Sequence, residues 1–251
     1  MKKAILNHFT QSKNAIAVLI DPEKCDNGAR LLELLEKSSF AGIDYLFIGG
    51  STVTRKEFSE TVTFIKEHST IPLIIFPGSS QQISEKADAI LYLSLLSGRN
   101  PDFLIGHHIQ SASELFAMEL EIIPTAYLLI DGGTQSSVAY VSQTTPIPRE
   151  NSTIIRNTAI AGKLQGKQLL YLDAGSGARF SVPCERIKEL KAIELPIIVG
   201  GGITTIEQIE ELHSAGTNIV VIGNKLEKDT DFLLDIYAYK KVDQSKLTIE
   251  E

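Results

Sequence analysis

The residues best suited to chemistry lie in three glycine-rich clusters late in the chain. They are YLDAGSGA (Tyr171 to Ala178), GGGI (Gly200 to Ile203) and the pair Gly223–Asn224, each joined to a short apolar run. Glycine lets backbone N–H groups turn toward an anion and approach it closely. A helix starting after such a turn adds a favourable dipole. One GG pair alone is an ordinary tight turn, but three clusters at successive strand ends read as a phosphate cradle. Asp173 lies inside the first cluster. A carboxylate there is placed either to take a proton from a hydroxyl or to pair with a buried cation. Tyr171, two residues earlier on a strand, shares its face and is suited to hydrogen-bond a polyol.

A second group sits near the start. LIDPEK (Leu19 to Lys24) places Asp21 at the end of an apolar run, and GGST (Gly49 to Thr52) places two hydroxyls at the end of the next. One aspartate, one hydroxyl and several waters can hold Mg²⁺ when a substrate phosphate supplies the other ligands. Equally, Asp21 can cap the turn ahead of Pro22. The histidines say less. His107 and His108 are adjacent in a helical stretch and so point in different directions, which disfavours a metal pair. His8, His68 and His213 read as helix-surface residues. Asp131, at the end of the fifth run, reads as a lid anchor or a substrate contact, the anchor being preferred. Cys25 and Cys184 lack metal-ligand spacing and read as reduced thiols, as expected of a cytoplasmic protein.

The elements that must position these groups are legible as an alternation. Eight apolar runs end at Asp21, Gly50, Gly78, Leu96, Gly133, Gly177, Gly202 and Asn224. Runs apolar on both faces read as buried parallel strands. Helical patterns occupy 28–40, 54–68, 183–193, 204–216 and 230–239, the fourth opening on Thr204-Thr205 ahead of Glu207 like a capping box. Such alternation implies an α/β fold, a single (β/α)₈ barrel over residues 1–251. The stretch 2–12 reads as an extra helix closing the barrel bottom. Two gaps break the pattern. PGSSQQISEKADA, between Phe76 and Ile90, is too short and polar for a full helix, so the third outer helix is expected to be missing and the side wall slotted. Residues Asp131 to Ser152 show no clear period and read as a long loop suited to a lid.

Composition narrows the function. The chain has 251 residues, with 24 Lys+Arg against 31 Asp+Glu, a net charge of −7. That acidity disfavours a nucleic-acid partner. The N-terminus does not read as a signal peptide, and no run is long enough to span a bilayer.

LIDPEK, FIGGST, NPDFLIGHH, IPTAYLLIDGG, TPIPR, YLDAGSGA, IVGGGI and VIGN occur in this order from about Ala15 to Asn224. Together they resemble the geranylgeranylglyceryl phosphate synthase family, in particular its longer-chain subgroup of archaea and some bacteria. The resemblance implies a modified barrel whose third helix is replaced. It implies transfer of a geranylgeranyl or similar polyprenyl group from its diphosphate to the 3-hydroxyl of sn-glycerol 1-phosphate, with Mg²⁺ as cofactor. It also implies a homo-oligomer, a dimer or larger. Carried onto this chain, Asp21 and Ser51 (or the neighbouring Thr52) contact the metal. Tyr171, Leu172, Asp173, Ala174, Gly175, Ser176 and Gly177 bind glycerol phosphate, with Gly201, Gly202, Gly223 and Asn224 around its phosphate. Asp173 is the catalytic base. It stands where the family usually has Glu, so the carboxylate is one methylene shorter. The competing expectations are another phosphate-binding barrel enzyme, such as an aldolase or isomerase, and a non-catalytic binder of prenyl or glycerol phosphates. The strand ends offer no inward lysine for Schiff-base chemistry.

Overall fold

The computed structural model describes residues 4–25 and 28–247. Helix α1 (Ala4–Gln11) precedes β1 (Ala15–Ile20), α2 (Ala29–Phe40), β2 (Tyr45–Ile48), α3 (Arg55–His68), β3 (Leu73–Ile75) and β4 (Ala89–Leu95). Then follow α4 (His107–Phe116), β5 (Glu121–Leu129), α5 (Ser137–Ser142), α6 (Ser152–Leu164), β6 (Leu169–Asp173) and α7 (Cys184–Leu190). The chain continues through β7 (Ile197–Gly200), α8 (Ile206–Ala215), β8 (Ile219–Ile222), α9 (Asn224–Lys228) and α10 (Phe232–Leu247). The eight strands are parallel and close in chain order, β8 returning to β1 through Ala15–Ile219 and Val18–Ile222. This is the expected (β/α)₈ barrel.

The strands are apolar throughout because both faces are covered. Phe47, Ile74, Leu91, Ile123, Tyr171, Ile198 and Val221 fill the barrel interior. Ile16, Leu46, Leu128, Leu170, Leu172, Val199 and Val220 belong to the outer layer packed under the helices. Each strand ends before its polar or glycine-rich tail, so those tails become loops on one rim. Helix starts are specified locally. Thr54 and Glu57 form a capping box at α3, and Thr205 does the same at α8. At α8 the reciprocal partner is Gln208, not Glu207, because Gln208 is the residue one turn in and can reach back to the cap.

Helix α1 plugs the barrel bottom, as the 2–12 stretch implied. Phe9 inserts with its ring edge-on to Tyr45, centroids 4.9 Å apart. The backbone N–H groups of Ile5 and Leu6 donate to the buried Glu121 carboxylate, at 2.8 and 2.9 Å. A carboxylate there answers both the unpaired donors and the dipole of the helix start. His213 is not a surface residue. It is buried, with Nε2 3.2 Å from the Ala15 carbonyl.

Between β3 and β4 there is no helix, in agreement with the polar gap. β3 contributes only three residues and pairs with β4 at Ile74–Ala89 and Ile75–Ile90. β4 continues to Leu95, paired with β5 at seven positions. Its upper half therefore has no neighbour on the β3 side, and the wall is notched. The connecting loop is pinned instead by the fully buried Gln82. Its amide nitrogen donates to the Gly50 carbonyl at 2.8 Å, and its oxygen accepts from the Gly78 N–H at 2.9 Å. The two loops cross so tightly that a Cβ at Gly78 would lie 2.2 Å from the Gly50 oxygen. Residues 131–152 are not a structureless lid: they contain α5, capped by Ser136, and a bridge between Ile130 and Ile147.

Gln82→Leu keeps most of the volume but strands the Gly78 N–H and the Gly50 carbonyl. The expected loss is about 1–3 kcal/mol of unfolding free energy, read as a lower urea midpoint with an unchanged slope.

Candidate active site

The rim loops enclose a cavity of about 420 Å³, lined by groups from β1, β4, β5, β6, β7 and β8 and from the loops after β2 and β3. Its polar end holds Asp173, the last residue of β6, nearly buried. Strand alternation places Asp173 and Tyr171 on the inner face. Asp173 Oδ2 accepts from the Tyr127 hydroxyl at 2.5 Å, and Oδ1 accepts from the Gly175 N–H at 2.7 Å. Burial pushes the Asp173 carboxyl above its ordinary value, while these two bonds pull it back. Burial, and then Asp173 itself, raise the Tyr127 phenol well above its ordinary value, so the shared proton stays on the tyrosine. Phe76 stacks on Tyr171 at 4.7 Å and meets Tyr127 edge-on at 5.8 Å. Tyr127 and Tyr171 also meet edge-on at 5.5 Å, so the three rings pack as one cluster beside the carboxylate. Tyr127 was not singled out in the sequence, where it is one more apolar residue in a strand.

Beside Asp173 lie the glycine turns. Asn224 Oδ1 accepts from the Ser176 hydroxyl and the Gly177 N–H, both at 2.9 Å, tying the loop after β6 to the start of α9. Gly201 and Gly202 have φ of +86° and +72°, a backbone that L side chains rarely adopt. The N–H groups of Gly202, Gly223 and Asn224 have no protein acceptor among the described residues, so they are available to an anion. Tyr171, Asp173, Ser176, Gly177, Gly201, Gly202, Gly223 and Asn224 thus line one cavity. Leu172 and Ala174 do not. Period-two alternation turns them into the outer layer. The Gly175 N–H is spent on Asp173.

Asp21 and Ser51 both line the mouth of the cavity. A Cβ at Gly50 would lie 2.6 Å from Asp21 Oδ1, so the loop after β2 presses on the carboxylate. Ser51 and Thr52 both line the cavity, and the Thr52 hydroxyl donates to Glu23 at 2.6 Å. The oxygen-only donor set fits a hard cation such as Mg²⁺. Among the described residues no cluster of three or more His, Cys, Asp or Glu forms a complete cage. The fit is therefore to an ion that takes most of its ligands from phosphate and water. The Lys24 ammonium already rests 3.3 Å from Asp21 Oδ2.

The other end of the cavity is apolar and leaves through the notch beside β4. Inward Leu91 and Leu93 and outward Ile90 and Tyr92 all line it, as do Ile83 from the helix-less loop and Phe103 and Ser111 from the α4 side. Tyr92 stacks on His108 at 4.0 Å, and its hydroxyl donates to the His108 carbonyl at 3.0 Å. His108 Nε2 lies 2.7 Å from the Leu93 carbonyl. Burial lowers its pKa, so the ring is neutral at pH 7 and donates. His107 lies edge-on to Phe103 on the cavity wall. Val138 and Val141 of α5 cover the cavity from above. Asp131 is exposed, its Oδ1 accepting from the Gly133 N–H at 2.9 Å, which is the anchoring role read for it.

A buried carboxylate among anion-binding turns at the C-terminal rim defines a phosphate-handling (β/α)₈-barrel enzyme. More narrowly, the chain belongs to the PcrB family, whose model matches residues 8–241. It is 48% identical to a geranylgeranylglyceryl phosphate synthase of Zunongwangia profunda, over 89% of this chain and 95% of that protein. It is 38% identical to one of Korarchaeum cryptofilum, over 91% and 94% of the two chains. The solved structure of (S)-3-O-geranylgeranylglyceryl phosphate synthase from Thermoplasma acidophilum, in complex with substrate sn-glycerol-1-phosphate, superimposes with a TM-score of 0.87. That pair is 32% identical, and the match covers 94% of this chain and 96% of the other. The family that the ordered motifs resemble is thus the family of the whole chain.

Asp173→Asn tests the electrostatic strain at the carboxylate. A raised folded-state pKa lets the Asp173 site favour folding below the unfolded value and lose that contribution as pH rises through the folded value. The variant, which carries no charge, should gain thermal stability relative to wild type at pH 8, and the gain should vanish near pH 3.

Proposed function

We propose that the protein transfers a geranylgeranyl or similar polyprenyl group from its diphosphate to the 3-hydroxyl of sn-glycerol 1-phosphate. Ether lipid precursor and diphosphate are the products. The observation that carries this reading is the single cavity with two unlike ends: anion-binding turns around a carboxylate at one, and an apolar slot through the wall at the other. Aldolase or isomerase chemistry on a small sugar phosphate has no use for the slot. The names of the relatives agree with it.

The acceptor's phosphate lies against the Gly202, Gly223 and Asn224 N–H groups, with its polyol toward Tyr171 and Asp173. This anchor brings the 3-hydroxyl to the carboxylate, and orientation supplies much of the acceleration. Asp21 and Ser51 would hold Mg²⁺, which supplies charge neutralisation for the departing diphosphate. The allylic C–O bond breaks with its electron pair leaving on the diphosphate. The acceptor oxygen bonds to the allylic carbon, and Asp173 takes its proton. Tyr127 and Gly175 hold the carboxylate in place for that transfer and keep it ionised. The shorter side chain of Asp, compared with the Glu usual in the family, is accommodated by this two-point grip. The prenyl tail lies along Leu91, Leu93, Ile90 and Tyr92 in the slot.

Purified protein with labelled geranylgeranyl diphosphate and Mg²⁺ should give a butanol-extractable ether product with sn-glycerol 1-phosphate. The 3-phosphate enantiomer should give none. Binding of both substrates without product would favour the non-catalytic reading. Asp173→Asn should lower kcat by about 10²–10⁴-fold while glycerol phosphate still binds. Tyr127→Phe removes a bond that lowers the Asp173 pKa, so the acidic limb of the kcat/KM profile should move to higher pH. An unmoved limb would assign that titration to another group.

A further inference from the structure

Between the metal side and the phosphate side of the mouth runs an unbroken path of polar contacts. Lys24 Nζ lies 3.3 Å from Asp21 Oδ2 and 3.0 Å from Glu227 Oε1. Glu227 Oε2 accepts from Asn224 Nδ2 at 3.1 Å. Asn224 Oδ1 in turn accepts from Ser176 and Gly177, both at 2.9 Å. Lys24, Glu227, Asn224, Ser176 and Gly177 all border the cavity. We propose that Lys24 is a positioning residue: its ammonium stands in for the divalent cation at Asp21 and, once displaced onto Glu227 alone, couples occupancy of the metal side to the acceptor-phosphate loops.

The argument is electrostatic. A divalent cation at Asp21 and an ammonium about 3 Å from the same carboxylate repel each other strongly in a half-buried mouth. One must yield, and Lys24 has a second carboxylate in reach. It yields by moving, because Glu227 Oε1 already lies 3.0 Å from its ammonium. Glu227 is kept in place from the far side, because its backbone carbonyl accepts from the Arg30 guanidinium. A displaced Lys24 therefore settles on a carboxylate whose other oxygen holds Asn224, and Asn224 holds the phosphate loop. The Lys24 side chain is 39% exposed, and an ion pair that open to solvent adds little to folding stability. A purely structural role explains the arrangement poorly. The coupling is reciprocal by linkage: glycerol phosphate that engages Asn224 alters the Asn224–Glu227 contact, and through it the hold of Glu227 on Lys24.

This inference rests on the reading of Asp21 as a metal ligand, and the test separates the two. Mn²⁺ binding to the whole protein is followed by the electron paramagnetic resonance of the free ion, with and without sn-glycerol 1-phosphate. Lys24→Met should bind Mn²⁺ about tenfold more tightly than wild type in the absence of acceptor. Its melting temperature should stay within about 2 °C, and Lys24→Arg should restore the weaker affinity. The increase in Mn²⁺ affinity on adding glycerol phosphate should shrink in Lys24→Met and in Glu227→Gln. Unchanged or weaker Mn²⁺ binding by Lys24→Met, with wild-type binding abolished by Asp21→Asn, overturns the role of Lys24 and leaves Asp21 as a ligand. Wild-type binding that survives Asp21→Asn overturns both.

Discussion

The carboxylate of Asp173 is the constraint around which the rim is arranged. A charge this deep at a strand end is tolerated only if its oxygens are satisfied, and they are satisfied by groups from two directions. The Tyr127 hydroxyl reaches it from the neighbouring strand, and the Gly175 N–H from the loop that follows. The second bond is also what folds the YLDAGSGA loop back over the barrel, bringing Ser176 and Gly177 to Asn224. The first requires a tyrosine at a layer where Phe76 and Tyr171 already crowd the axis. The buried carboxylate, the glycine turns and the aromatic floor are thus one packing solution.

The notch beside β4 follows from a different economy. A barrel with eight full crossovers has no lateral opening, and an apolar tail would have to stand in the mouth. Shortening β3 to three residues and omitting its helix opens the wall at one place. The loss is offset by Gln82, whose amide replaces backbone pairing between two loops that would otherwise be loose. The same crossing sets Gly50 against Asp21. The wall notch and the position of the Asp21 carboxylate are therefore adjacent consequences of one truncated strand.

Much of this was legible in the sequence because burial on both faces leaves an unmistakable apolar run, and all eight runs became strands. The missing helix was legible because the thirteen residues between Phe76 and Ile90 are mostly polar and carry no apolar face to cover a sheet. The glycine turns on the rim were legible from glycine clustering. What stayed hidden depends on contacts between distant residues. Gln82 looks like any loop glutamine, and Tyr127 like any strand residue, until their partners 32 and 46 residues away are in place. His213 reads as a surface residue, yet its ring meets a carbonyl 198 positions distant. Helix α6 escaped notice because its buried face includes Ala159 and Gly162, which give a weak apolar stripe. Leu172 and Ala174 were drawn into the site by their neighbours, and strand alternation removes them.

The two arms of the cavity also bear on how turnover ends. In the proposed reaction each substrate fills one arm, but the joined product fills both at once. Tethering two ligands makes the second contact effectively intramolecular, so the product outcompetes either half at equal concentration. Escape requires the headgroup to leave the glycine turns and the tail to leave the wall in the same event. With α5 lying over the junction, departure of the finished lipid, not bond formation, is the natural bottleneck of a cycle built on this architecture. An acceptor surface that extracts the tail sideways through the notch would speed the whole cycle without touching the chemistry.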